Sequence, residues 1–94
     1  MNTKKLRYAI LKEISKGNKN LSENDFKITE YEFDEAIRFL DREGYLKGIP
    51  YADGRPLLFE ESAYLTEKGE QYLQENTLLA KSYQTAKEIR DWIK

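Results

Sequence analysis

The chain has 94 residues, 35% of them charged, a formal net charge of −1, and neither cysteine nor histidine. That length suits a single domain, residues 1–94, burying roughly 60 to 65% of the surface its unfolded chain exposes. Without those two residue types, disulfides, thiolate chemistry, Ser/His or Cys/His catalysis and Cys/His zinc sites are excluded. No pair of carboxylates lies in an apolar setting that would tune a pKa, so no enzyme, catalytic residue, metal or cofactor is expected. No apolar run approaches the ~18 residues that span a bilayer and no leader pattern opens the chain, so a cytoplasmic location without membrane contact is expected.

Residues 1–20 carry six basic and one acidic residue, whereas residues 21–46 carry three basic and eight acidic ones. A basic end therefore adjoins an acidic middle, which is not the balance of a protein that neutralises many phosphates. From Lys4 to Lys16, Leu6, Ala9, Ile10 and Ile14 recur at three and four, with Leu11 widening the stripe, which predicts an amphipathic helix capped by Thr3 and ended by Gly17. Lys4, Lys5, Arg7 and Lys12 form its basic side. Charge runs are usually solvated faces, but this one can also take phosphate, an acidic partner or the acidic middle of a second copy.

Ser22 reads as the cap of a short helix through Phe26, and Leu21 before it as an isolated apolar residue that pairs with a later hairpin. The next segment, Thr29 to Gly44, is the centre of the reading. Thr29 and Glu32 make a capping box, Gly44 supplies the left-handed end, and Phe33, Ala36, Ile37 and Leu40 share one narrow face. Opposite them stand Tyr31, Glu35, Arg38 and Arg42, with Asp34 and Arg38 spaced for a surface pair worth ~0.3 to 0.5 kcal/mol. Phe39 sits on the margin, to be packed beneath the short helix or the hairpin, or left in an exposed aromatic patch with Tyr31.

After Gly44 the period shortens toward 2. Tyr45, Leu46, Ile49 and Tyr51 predict one strand, Asp53-Gly54 a tight turn, and Leu57, Leu58 and Phe59 a second strand, giving a hairpin over about 45–60. Pro50 and Pro56 put this ribbon at an edge with an open tip, where Arg55 faces Asp53. Thr66 caps the next helix, which carries Tyr72 and Leu73. Gly69 costs that helix about 1 kcal/mol relative to alanine, which implies that another backbone passes close by. A break at Glu75-Asn76-Thr77 precedes a last helix over about 78–93, whose broad stripe of Leu79, Tyr83, Ala86, Ile89 and Trp92 suits packing on its own domain or a homodimer axis.

Leu65, Thr66, Gly69, Tyr72 and Leu73 are similar to the segment after the wing in bacterial winged-helix regulators of the multiple-antibiotic-resistance and phenolic-acid kinds. More widely, KLRYAILKEI from Lys5, LSEND from Leu21, REGYL from Arg42, LTEKGEQYL from Leu65 and EIRDWIK from Glu88 resemble the YjcQ family, small proteins of Gram-positive bacteria and their phages or prophages. The resemblance implies an α+β winged helix-turn-helix: helix, short helix, recognition-type helix, β-hairpin wing, two C-terminal helices. It implies a phage or prophage setting but no activity.

Two functions fit this outline. As a DNA-binding regulator, the chain would place helix 30–43 in a major groove, with Arg38 and Arg42 on guanine edges or phosphates, Tyr31 on backbone or a thymine methyl, and Asp53 and Arg55 at the wing. The same helix carries six acids and two bases, however, which repels phosphate. As a protein-interaction module, it would offer its acidic, tyrosine-bearing face to a basic protein, and this reading is preferred.

Overall fold

The computed structural model describes residues 2–18, 20–58, 62–76 and 78. The first helix, α1, spans Thr3–Ser15. Its cap is Asn2, one residue earlier than expected: the Asn2 side chain accepts the Lys5 amide at 3.0 Å, and Thr3 becomes the first helical residue. Gly17, at φ +89°, ends it by donating its amide to the Ile14 carbonyl at 2.9 Å. The expected stripe is buried, and Tyr8 joins it.

A short helix, α2, spans Glu23–Phe26, where the Ser22 amide donates to the Asp25 carboxylate at 2.8 Å. The third helix, α3, covers Glu30–Arg42. Its capping box forms as read: Glu32 donates its amide to the Thr29 hydroxyl at 3.1 Å and accepts the Thr29 amide at 3.0 Å. Phe33, Ala36, Ile37 and Leu40 are all buried, and α3 lies against α1 through this face. Burying each large member contributes about 1.5–3 kcal/mol, so this contact is the centre of the core. Phe26 stacks on Phe33 at 6.0 Å between centroids, which ties α2 to the same core.

Among the described residues four two-residue strands follow: β1 (Leu46–Lys47), β2 (Tyr51–Ala52), β3 (Arg55–Pro56) and β4 (Tyr64–Leu65). They make two separate antiparallel ladders, β1 with β4 and β2 with β3. The expected strand from Tyr45 to Tyr51 is therefore interrupted, because Gly48 takes φ +77° and Pro50 cannot donate. The second strand lies earlier than Leu57–Phe59. Asp53 and Gly54 both take positive φ, +54° and +78°, the geometry of a two-residue type I′ turn, which pairs Ala52 with Arg55 and Tyr51 with Pro56. Phe59 lies outside the described residues.

The strand β4 has no counterpart among the expected elements, since two residues cannot display a period. It returns the chain to β1 in the register Leu46 with Leu65 and Lys47 with Tyr64. The fourth helix, α4, spans Glu67–Glu75 and is capped by Thr66, whose hydroxyl accepts the Gly69 amide at 3.1 Å. Gly69 does face a passing backbone: a β-carbon there would overlap the Tyr45 carbonyl oxygen. Tyr72 of α4 accordingly reaches both Tyr45, at 5.0 Å between centroids, and Tyr8, at 6.4 Å. The architecture is α+β. Thr77, the predicted last helix beyond Leu78 and the stripe of Leu79, Tyr83, Ala86, Ile89 and Trp92 lie outside the described residues.

Candidate functional site

The outward side of α3 is shaped by the hairpin β2–β3, which lies along it. Three positions one helical turn apart hold three hairpin residues in reverse order. Asp34 accepts from Arg55 twice, Nε at 2.7 Å and Nη2 at 3.0 Å. The Arg38 guanidinium donates to the Gly54 carbonyl at 2.6 Å, and the Tyr51 hydroxyl donates to the Asp41 carboxylate at 2.9 Å. Residues 34, 38 and 41 share a face because the α-helix repeats every 3.6 residues.

This arrangement corrects two expectations. Arg55 does not face Asp53 at an open tip; it is drawn onto the helix, with Glu30 at 3.3 Å and Glu23 at 4.0 Å in addition to Asp34. Asp34 does not pair with Arg38, since it is 4% exposed and committed to Arg55, and Arg38 pairs instead with Glu35 at 2.7 Å. The planar fork of an arginine fits both oxygens of one carboxylate, so Arg55 wins Asp34 despite being 21 residues away in the chain. Hydrogen bonding to Asp34, reinforced by the charges of Asp34, Glu30 and Glu23, raises the Arg55 pKa above its usual value. Burial, and then the bond and charge of Asp41, push the Tyr51 hydroxyl up to about 12. The Thr29 amide and hydroxyl hold Glu32 below the ordinary carboxylate value.

Of the predicted row, Tyr31 is 71% exposed and Arg42 is exposed, while Glu35 and Arg38 are half-buried and joined to each other. Arg42 lies 3.8 Å from Glu43 and 5.7 Å from the Phe39 ring. Phe39 is half-buried against the core. Its ring is capped by the guanidinium of Arg7 at 3.6 Å and stands beside Tyr45 at 6.4 Å. Arg7 is thus spent on a cation–π contact within the domain, which leaves Lys4 exposed and Lys5 and Lys12 half-buried on the basic side of α1. Lys68 similarly serves the fold, donating to the Glu43 carbonyl at 2.7 Å and lying 4.9 Å from the Tyr45 ring.

The residues that sequence reasoning passed over as a working group are Glu23, Glu30, Asp34, Asp41 and Tyr51. The excess of acids on the α3 segment was the available signal, because an arginine held against a fold needs carboxylates around it. Three carboxylates against the one guanidinium of Arg55 leave this region electronegative, beside the exposed Tyr31 phenol. Such a surface accepts hydrogen bonds and favours a cation over an anion. Among the described residues no group of three or more His, Cys, Asp or Glu side chains is placed to hold a metal ion, and no helix is long and apolar enough to cross a membrane.

A solution NMR structure of the YjcQ protein from Bacillus subtilis is similar to this fold, with a TM-score of 0.69 and 60% identity over 77% of this chain and 92% of that one. The uncharacterized protein YjcQ of Bacillus subtilis (strain 168) is 60% identical over 94 residues, which is the whole of both chains. The family model described as YjcQ protein matches residues 4–92. With both the family model and a full-length relative in agreement, this chain belongs to the YjcQ family.

Proposed function

We propose that the chain is a non-enzymatic winged-helix module of the cytoplasm that binds a basic protein partner through the outward face of α3 and the adjoining hairpin, in a phage or prophage setting. In this reading α1 to α3 form the helix-turn-helix core and β2–β3 is the wing. The observation that carries the reading is the engagement of Arg55 by Asp34, Glu30 and Glu23. Together with the pairing of Arg38 to Glu35 and Gly54, it occupies two of the three arginines a DNA-reading surface would use. Glu30 and Tyr31 remain exposed on that side, with Arg42 exposed toward the end of the helix. Phosphates approaching them would meet repulsion, whereas lysine or arginine side chains would meet carboxylates and a tyrosine suited to an interface centre.

The test is photo-cross-linking from position 31, with a photoreactive phenylalanine analogue in place of Tyr31. A cross-linked protein that presents a basic surface, and is lost in Glu30→Lys/Glu35→Lys, supports the reading. Cross-links to DNA, strengthened by the same charge reversal, support the alternative of a DNA-binding regulator using helix 30–43 and the wing.

A further inference from the structure

The flank of α3 away from the hairpin gathers positive charge around two rings. Phe39 and Tyr45 stand 6.4 Å apart between centroids, and cations from three helices reach them. Arg7 of α1 lies 3.6 Å over the Phe39 ring, Arg42 of α3 stands 5.7 Å from the same ring, and the Lys68 ammonium of α4 is 4.9 Å from the Tyr45 ring. Lys4, one helical turn before Arg7, is exposed and adds a charge of the same sign to that side of α1. Among the described residues the Arg7 guanidinium meets no carboxylate and no hydrogen-bond acceptor. A separation of 3.6 Å sets its flat face on the ring, so the N–H donors, which lie in the guanidinium plane, are not used by that contact. Arg55 is the opposite case, with its donors filled by Asp34. An arginine held in place by a ring but left without an acceptor is one preset half of a bidentate contact to an oxyanion. We propose that Arg7, Arg42 and Lys68, around Phe39 and Tyr45, form a docking site for a short acidic peptide segment of a partner protein, separate from the outward face of α3.

The surroundings favour a peptide over a nucleic acid. Glu32 and Glu35 stand on α3 toward the same flank, the first bonded to Thr29 and the second to Arg38, and both keep their negative charge. Glu75, one turn beyond Tyr72 on α4, accepts from Gln71 at 2.9 Å. A few cations fringed by carboxylates suit a ligand with two or three charges. A nucleic-acid strand, with a phosphate at every nucleotide, would run from the cations onto those acids. The nearer competitor is Glu43, 3.8 Å from Arg42 in an exposed pair whose geometry is too loose to hold the arginine, so an incoming carboxylate displaces it. Lys68 donates to the main-chain carbonyl of Glu43, a neutral acceptor that leaves the ammonium charge unmatched.

The test is an NMR titration of the full chain with a short capped peptide of aspartate and glutamate at ~50 mM salt, where screening between surface charges is weak. The proposal expects saturable shifts of the Arg7 and Arg42 Nε–H signals and of the Phe39, Tyr45 and Lys68 amides, with the Arg55 Nε–H signal unmoved. Arg42→Gln should weaken binding about tenfold, the loss of one charge-assisted contact. Glu43→Gln should strengthen it by releasing Arg42, a gain that a purely structural role would not produce. Both positions are exposed, so both variants keep the fold. Shifts that never saturate, shifts centred on Lys5 and Lys12, or an unchanged affinity in Arg42→Gln would overturn the site. A single-stranded oligonucleotide of equal charge that moves the same signals and binds more tightly than the peptide would overturn the choice of partner.

Discussion

Replacing Gly69 by alanine sets two effects of opposite sign against each other. Helix propensity alone favours the variant by up to about 1 kcal/mol, since glycine is the poorer helix former. Against this, the new β-carbon overlaps the Tyr45 carbonyl oxygen and comes within 3.2 Å of its carbon. That carbonyl cannot simply retreat, because it accepts the Thr66 amide at 3.1 Å and so helps place the cap of α4. Overpacking against a fixed neighbour costs about 1–3 kcal/mol, and a weakened hydrogen bond adds about 1. The overlap wins, with a net loss of about 1–3 kcal/mol, or roughly 4–8 °C in Tm per kcal/mol for a domain of this size. Urea unfolding followed by far-ultraviolet circular dichroism measures it, with a lower midpoint and an unchanged slope. A variant as stable as the parent, or more stable, would refute the close approach of α4 to the chain after α3.

Asp34→Ala removes both hydrogen bonds that hold Arg55 from a carboxylate only 4% exposed, and should cost about 2 kcal/mol in the same unfolding assay. A double-mutant cycle with Arg55→Ala should be clearly non-additive, because the two side chains share one interaction. Thr66→Ala loses the cap of α4 together with its bond to the Gly44 carbonyl and should cost about 1–2 kcal/mol, seen as early loss of amide protection in α4 by hydrogen exchange. The raised Tyr51 pKa favours the protonated form in the folded state, so its contribution is complete below the unfolded value near 10 and is lost as pH rises toward about 12. Tyr51→Phe should flatten that alkaline decline in part only, since burial also raises Tyr8 and Tyr72. Glu32 has the opposite sign: its lowered pKa adds stability above about 4.5 that is lost on acidification, and Glu32→Gln should weaken that acid dependence.

Local chemistry was readable directly from the residues. The Thr29–Glu32 capping box, the buried stripe from Phe33 to Leu40 and the Thr66 cap depend on neighbours three or four positions away, and each formed as read. Gly69 shows that a tertiary contact can also be legible when a residue is locally unfavourable and therefore needs a reason. What could not be read were choices among partners distant in the chain. Asp34 had an acceptable local partner in Arg38 and took Arg55 instead, because the hairpin turn delivers a planar guanidinium to it. Asp53-Gly54 announced the turn, but its two positive-φ residues, rather than the hydrophobic pattern, set where the ladder begins. Arg7 over Phe39 joins α1 to α3 through a contact that no periodicity encodes. The outward face of α3 was therefore identified by its residues and misjudged in its pairing, and the pairing adds support to the protein-binding reading that the acidic helix already favoured.

The most direct test of that reading is fluorescence anisotropy of a labelled mixed-sequence DNA duplex titrated with the full chain at ~50 mM and ~200 mM salt, a range over which phosphate contacts change affinity steeply. With Arg38 and Arg55 held by carboxylates, no saturable binding is expected at either salt concentration. Saturable binding at the lower salt that weakens at the higher, and disappears in Arg38→Glu/Arg42→Glu, would contradict the account and make the outward face of α3 a DNA-binding surface.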